Sequence, residues 1–266
     1  FTAEPGEANG VVVTNPTGTE ITFQDTFPVP VTEASESCAP TGLSSVSCDL
    51  GTLFVLVVLD LGDGRDTADA AAAPFSVVAD GGEDVDAIST GPGNDALQGG
   101  PGADALSGGG GEDLFDGGFD PDEIDGGGGA DLITYESRAA GVAVALGDGL
   151  DNDGNADDGP VNGRDSLAGI ENVVGTPHDD TIIGDGADNL IDGRFGSDVL
   201  DGLSGIDTLS YSGRNESVAV VLGQTAGNGG AGDGAGDAID EFEHLIGGEG
   251  NDSLTGNGAG NAIRGQ

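Results

Sequence analysis

A nine-residue period constrains this chain more than any other feature of its sequence. From Gly81 six blocks of nine follow without a gap (GGEDVDAIS, TGPGNDALQ, GGPGADALS, GGGGEDLFD, GGFDPDEID, GGGGADLIT), ending at Thr134. Four more (GTPHDDTII, GDGADNLID, GRFGSDVLD, GLSGIDTLS) run from Gly175 to Ser210, and two (GGEGNDSLT, GNGAGNAIR) from Gly247 to Arg264. Across these twelve blocks position 8 is always Ile, Leu or Phe. Position 6 is Asp ten times and Asn twice, at Asn189 and Asn261; position 1 is Gly eleven times, with Thr90 the exception. A fixed short period marks a stacked repeat.

Glycines at positions 1, 2 and often 4 permit positive φ and close backbone approach, so the first six residues of a block form a turn. The last three, with the apolar residue in the middle, form a short strand with one inward side chain. Such a strand buries nothing alone, whereas stacking joins the apolar residues into a ladder. Two nonapeptides then make one flattened coil of eighteen residues, with strands on two faces and turns on two edges. The expected fold is all-β, a β-solenoid of parallel strands. Neighbouring coils lie about 4.8 Å apart, so every second position-6 Asp stacks on one edge at that spacing. Carboxylates so close repel unless a cation lies between them. The donors present are carboxylates and turn carbonyls, without a His or Cys cluster, a set that favours Ca2+ over Mg2+.

The nonapeptides resemble the RTX (repeats-in-toxin, haemolysin-type) calcium-binding repeats. That resemblance implies a parallel β-roll with Ca2+ held in the turns by position-6 carboxylates and glycine-turn carbonyls. Carried onto this sequence, it implies metal ligation by Asp86, Asp95, Asp104, Asp113, Asp122 and Asp131, and later by Asp180, Asp198, Asp207 and Asp252. A degenerate block, LGDGRDTAD at 61–69, adds Asp66. The glycines implied in the metal-binding turns are Gly82, Gly91, Gly93, Gly100, Gly102, Gly109, Gly111, Gly118, Gly127, Gly129, Gly196 and Gly205. Asn189 and Asn261 depart from the pattern, and His178 and Ala187 replace the position-4 glycine, which weakens those turns.

The blocks divide the chain into 81–134, 175–210 and 247–266, separated by insertions at 135–174 and 211–246. The insertions repeat one another. Tyr135, Arg138, Val142, Val144 and Leu146 recur 76 residues later as Tyr211, Arg214, Val218, Val220 and Leu222. Asp165, Glu171, Gly175, Asp180 and Asn189 recur 72 residues later as Asp237, Glu243, Gly247, Asp252 and Asn261. Each insertion reads as a wider coil with one edge extended into a loop. The first loop, DGLDNDGNADDG at 148–159, is no EF-hand, because alignment on Gly154 puts Gly149 and Pro160 at the first and last ligand positions. It reads as a solvated acidic loop, and Arg138/Glu171 and Arg214/Glu243 read as ion pairs across the insertions. Residues 1–80 lack nonapeptides but hold strand-like runs (GVVVT, TEITF, LFVLVVLDL, FSVV), read as a β-domain that caps the solenoid or, alternatively, as an independent sandwich.

Composition narrows the function classes. There are 49 acids and 6 basic residues, a formal charge of −43, and all six bases are Arg. Nucleic acid is excluded as a partner, anionic membrane surfaces are disfavoured, and no apolar run is long enough to span a bilayer. So much charge would suit a disordered chain, but the periodic placement of Gly and Asp argues for folding. The sequence begins at Phe1 without a Met, consistent with removal of a targeting segment. A Cys38–Cys48 disulfide would suit an exported protein; a reduced pair is the alternative. No HExxH or GxSxG motif occurs, His178 and His244 lie far apart, and the regular carboxylates already have a structural cause, so no enzyme is expected. The expected function is a secreted, calcium-folded structural protein. Its last block ends without a polar cap, which suggests head-to-tail stacking into an extracellular filament or matrix, or equally a piece of a longer protein. The alternatives are an adhesin or surface-layer module, or a calcium-triggered secretion module of a larger toxin or enzyme.

Overall fold

The computed structural model describes residues 10–14, 20–25, 38–40, 45–49, 56–150, 152–156, 158, 164–234 and 236–266. Their regular structure is strand, apart from one 3-10 turn at Ala231–Asp233. The chain divides into two compact units, Phe1–Asp131 and Leu132–Gln266.

In the first unit successive short strands alternate between two parallel sheets. Val57–Asp60, Val77–Asp80, Ala96–Pro101 and Leu114–Phe119 line up in one; Thr67–Asp69, Ala87–Ser89, Ala105–Ser107 and Glu123–Asp125 line up in the other. Ala105 lies opposite both Ala87 and Glu123, so each coil takes eighteen residues, as two nonapeptides require. The position-8 residues Ile88, Leu97, Leu106, Phe115 and Ile124 are all buried. Their neighbours on the same strands alternate outward, which is the period-2 geometry of a strand with one dry face. The first coil is longer: Asp66 and Asp86 are linked across 20 residues. The extra length is taken up by a tight turn in which the Ala73 amide donates to the Ala70 carbonyl, with both alanines buried.

The amino-terminal strands join this unit. Gly10–Thr14 runs parallel to Thr67–Asp69 and antiparallel to Glu20–Asp25, which pairs in turn with Ser45–Asp49 and then Cys38–Pro40. Val11 and Val13 are buried. Register sets Cys38 directly opposite Cys48. The start of the expected LFVLVVLDL strand lies outside the described residues; the strand begins at Val57.

In the second unit Leu132–Thr134, Asn172–Val174, Leu190–Asp192, Thr208–Ser210, His244–Ile246 and Ile263–Arg264 form one parallel sheet, and Ala143–Ala145, Thr181–Ile183, Val199–Asp201 and Ala238–Asp240 another. Register jumps where the insertions fall: Leu132 pairs with Asn172 and Thr208 with His244, whereas Asn172 pairs with Leu190 one ordinary coil on. The insertions are therefore wide coils that rejoin the same ladder. Ile133, Ile182, Ile191, Leu200 and Leu209 fill the interior. The ladder thins in the last two blocks, where Leu254 is only half-buried and Ile263 is 40% exposed.

Phe115→Ala is expected to lower the unfolding free energy of the calcium-loaded protein by about 3–5 kcal/mol. Ile263→Ala should cost about 1 kcal/mol or less. Chemical denaturation of both variants measures the difference, and equal losses would refute this assignment of the core.

Candidate metal centre

Along each turn edge of the first unit the position-6 carboxylates are stitched to the coil before. The Asp66 amide donates to Asp86 Oδ1, Asp86 to Asp104, and Asp104 to Asp122, each at 2.8 Å. On the other edge Val77 donates to Asp95 at 2.7 Å, then Asp95 to Asp113 and Asp113 to Asp131 at 2.8 Å. All seven aspartates are buried. One oxygen of each of the six acceptors, Asp86, Asp95, Asp104, Asp113, Asp122 and Asp131, thus takes a backbone amide. The Oδ2 atoms of Asp86, Asp104 and Asp113 are sealed from solvent and have no hydrogen-bond donor. A buried anionic oxygen without a partner is costly, and a cation beside it is one remedy.

The glycines bring backbone carbonyls to the same place. A Cβ on Gly82, Gly100 or Gly118 would overlap the carbonyl of Gly62, Gly82 or Gly100. The same holds between Gly91 and Ala73, Gly109 and Gly91, and Gly127 and Gly109. At position 4, Gly93, Gly111 and Gly129 face the carbonyls of Phe75, Gly93 and Gly111, and Gly102 faces that of Asp84. In the second unit Gly196 and Gly205 face His178 and Ala187. Gly100, at φ 106°, combines this approach with a backbone that only glycine adopts freely. Position 1 is glycine for a different reason from the turn φ expected of it. A side chain on Gly99, Gly108, Gly117 or Gly193 would collide with the position-6 carboxylate of its own block. At the exceptional block Thr90 keeps its hydroxyl on the Gly108 carbonyl, 2.9 Å away.

Burial pushes these acids above their ordinary range: Asp86 to about 7, and Asp104 and Asp113 to about 6, with like charges one coil away adding to the effect at Asp86 and Asp113. Asp198 rises to about 8, again through burial first and then neighbouring aspartates. Among the described residues no three His, Cys, Asp or Glu side chains converge. A hard cation at these turns would therefore draw most of its donors from carbonyls, which the stacked glycines supply. The donor set fits calcium.

The second unit sorts its turns into distinct kinds. Asp198 and Asp207 repeat the first-unit pattern: their Oδ1 atoms accept from the Asp180 and Asn189 amides at 2.9 and 2.8 Å, and their Oδ2 atoms are buried without a donor. Asp252 accepts from Val218 at 3.0 Å and likewise keeps a buried Oδ2 without a donor. Asp180 differs, because Thr176 donates its amide and its hydroxyl to the two carboxylate oxygens. The asparagines satisfy themselves. Asn189 Nδ2 donates to the Glu171 carbonyl at 2.9 Å and Asn261 Nδ2 to the Glu243 carbonyl at 2.7 Å.

Several expectations are corrected by the insertions. Arg138 pairs with Asp158 at 3.1 Å, and Arg214 with Asp233 at 2.5 Å and Glu216 at 3.2 Å; Glu243 instead accepts from the Asp207 amide at 3.0 Å. The first loop is also not simply solvated, since Asp153 and Asp158 are buried. Asp153 is drawn inward by the Ala145 amide, and Asp158 by the Asn155 amide and the Arg138 guanidinium, which sequence spacing does not reveal. The reading also missed Asp237, which accepts from the Asp198 amide at 3.1 Å and so extends the carboxylate row. The signal was present: GDGAGDAID at 232–240 is a nonapeptide with Asp at position 6 and a buried Ile239 at position 8.

Comparison with family models finds the RTX calcium-binding nonapeptide repeat in four copies, at residues 80–115, 107–137, 174–209 and 240–265. The coils matched are RTX calcium-binding nonapeptide repeats. No curated protein matches the chain. Among the described residues no helix is long and apolar enough to cross a membrane.

Two outcomes follow for the RTX turns. Gly108→Ala forces a Cβ onto Asp113 Oδ2 and is expected to lower the thermal midpoint well below that of Gly128→Ala, whose Cβ meets nothing within 4 Å. Equal midpoints would refute the packing argument. For pH, carboxylates whose folded pKa lies above the unfolded value of 3.8 stabilise the fold below that value and lose the contribution as pH rises through about 6 to 8. The chelated protein should therefore gain β-structure as pH falls from about 8 toward 4, whereas the calcium-loaded protein should lose stability over the same range as protons displace the metal. Circular dichroism of both forms checks the opposite signs.

Proposed function

We propose that this RTX chain is a secreted structural protein, not an enzyme, and that its fold is set by calcium at the turns carrying Asp86, Asp104, Asp113, Asp198, Asp207 and Asp252. Asp66, Asp95, Asp122 and Asp131 stand in the same rows and take the same role. The observation that carries this reading is the buried second oxygen of those six carboxylates, without a donor and beside stacked carbonyls. When bound, each calcium ion supplies two positive charges and a demand for oxygen ligands. The chain's own part is to hold Oδ1 on the preceding coil's amide and aim Oδ2 and the turn carbonyls inward. Folding and metal uptake are then one event, as in any site that does not exist in the unfolded chain.

Secretion fits this chemistry, because extracellular fluid offers far more calcium than the cytosol. The Cys38–Cys48 register fits it too, since directly opposed antiparallel residues have Cα separations within the disulfide range. A mass unchanged by reduction would rule that bond out. Self-association is a second reading. Ile263–Arg264 pairs with His244–Ile246 on one side and with no other strand among the described residues. A further coil would cover that edge, whether from a longer chain or from the amino-terminal strands of another copy.

Removal of calcium by a chelator at neutral pH is expected to remove most of the β-sheet circular dichroism, and excess calcium to restore it cooperatively. A spectrum indifferent to both, with bound metal excluded by elemental analysis, would overturn the proposal. Sedimentation of the loaded protein tests assembly: species growing with concentration support head-to-tail stacking, and a monomer at every concentration refutes it.

A further inference from the structure

We propose that the two wide coils are closed by a protein-borne cation in place of calcium: a buried tyrosine–arginine clasp that leaves the turns at Asp165 and Asp237 metal-free. This rests on the calcium reading of the other turns and divides the carboxylate rows into two chemical kinds.

Asp237 is the deciding residue. Its strand, Ala238–Asp240, pairs in register with Val199–Asp201, and its Oδ1 accepts from the Asp198 amide as the other position-6 aspartates accept from the coil before. Its Oδ2 should then be bare like that of Asp198. Instead it accepts the Tyr211 phenol at 2.7 Å. Tyr211 is buried, and burial beside acids raises its pKa, so the phenol keeps its proton. Next to it the buried guanidinium of Arg214 pairs with Asp233 and Glu216 and lies 4.2 Å over the Phe195 ring and 5.7 Å over that of Tyr211. Cation, donor and carboxylates are all supplied by one wide coil.

The first wide coil repeats the device. Tyr135 donates to Asp165 Oδ2 at 3.1 Å, Arg138 pairs with Asp158 at 3.1 Å, and the guanidinium lies 5.6 Å over the Tyr135 ring. A Cβ on Gly154 would collide with Asp158 Oδ2, and one on Gly229 with Asp233 Oδ2, so glycine lets each loop acid approach the clasp. The backbone closes alike, Asn155 and Gly230 donating to Asp158 and Asp233 Oδ2. Comparison of the copies shows what the remaining acid of the loop does. Asp153 in one is Asn228 in the other, and each side chain does one job, accepting the Ala145 amide at 2.7 Å or the Val221 amide at 2.8 Å. What the two copies keep at this position is that hydrogen bond to the strand, with a charge in one and without it in the other. Guanidinium and phenol also need no concentration of solute to act, so the clasps keep the wide loops attached when calcium is low.

Calcium stoichiometry of the full chain, by equilibrium dialysis with elemental analysis, tests this. Wild type, Asp207→Asn and Asp237→Asn are compared at saturating calcium. Asp207→Asn is expected to bind at least one ion fewer than wild type, and Asp237→Asn the same number with a lower thermal midpoint. Loss of an ion from Asp237→Asn comparable to that from Asp207→Asn overturns the clasp; a wild type that binds no calcium overturns the calcium reading instead. Should Asp237→Asn fail to fold, hydrogen exchange of the wild type in chelator decides. Slower exchange in peptides covering 211–237 than in those covering 81–131 supports the clasp, and equal loss of protection refutes it.

Discussion

Repulsion between carboxylates at the spacing of a β-ladder governs this molecule. Stacking coils at about 4.8 Å places one buried aspartate over the next, and two unit charges at that distance repel by about 3 kcal/mol even at an effective dielectric of 20. The hydrophobic ladder that demands the stacking is the same one that creates the repulsion, because ten of the twelve blocks carry an Asp two residues before the inward Ile, Leu or Phe. The backbone relieves one oxygen per carboxylate through the preceding coil's amide. The second oxygen is left to whatever cation or donor the turn can recruit.

The second unit shows three ways of answering that demand within one fold. Asp198 and Asp207 keep the bare oxygen of the regular turns. Asn189 and Asn261 replace it with an amide that donates to a carbonyl, removing the charge together with the need for a counter-charge. Asp180 and Asp237 fill it with Thr176 and Tyr211. These substitutions sit beside the insertions, where the register widens and the regular supply of carbonyls from an identical coil below is interrupted. Irregular coils thus carry their own neutralising groups, and regular coils rely on their neighbours.

Much of the fold was legible because a nonapeptide is a local code. Its period, the inward position 8 and the eighteen-residue coil all follow from alternation in a strand and glycine in a turn. What escaped the sequence were contacts whose partners lie across a coil. Arg138 and Arg214 were matched to Glu171 and Glu243 by parallel recurrence, yet the guanidiniums meet loop aspartates that fold back over them. Position 1 was read as a turn residue, but its glycine makes room for a carboxylate five residues on in the same block.

By itself, the order of residues determined that this chain winds into parallel coils, which side chains line the interior, and which carboxylates and turn carbonyls gather at the edges, since each of these depends on neighbours within nine or eighteen positions. Only the tertiary structure decided which of those carboxylates remain unanswered and which are met by a tyrosine, a threonine or an amide. That outcome turns on a few ångströms between segments far apart in the chain, where hydrogen-bond geometry and burial select one partner among many acids that look alike in sequence.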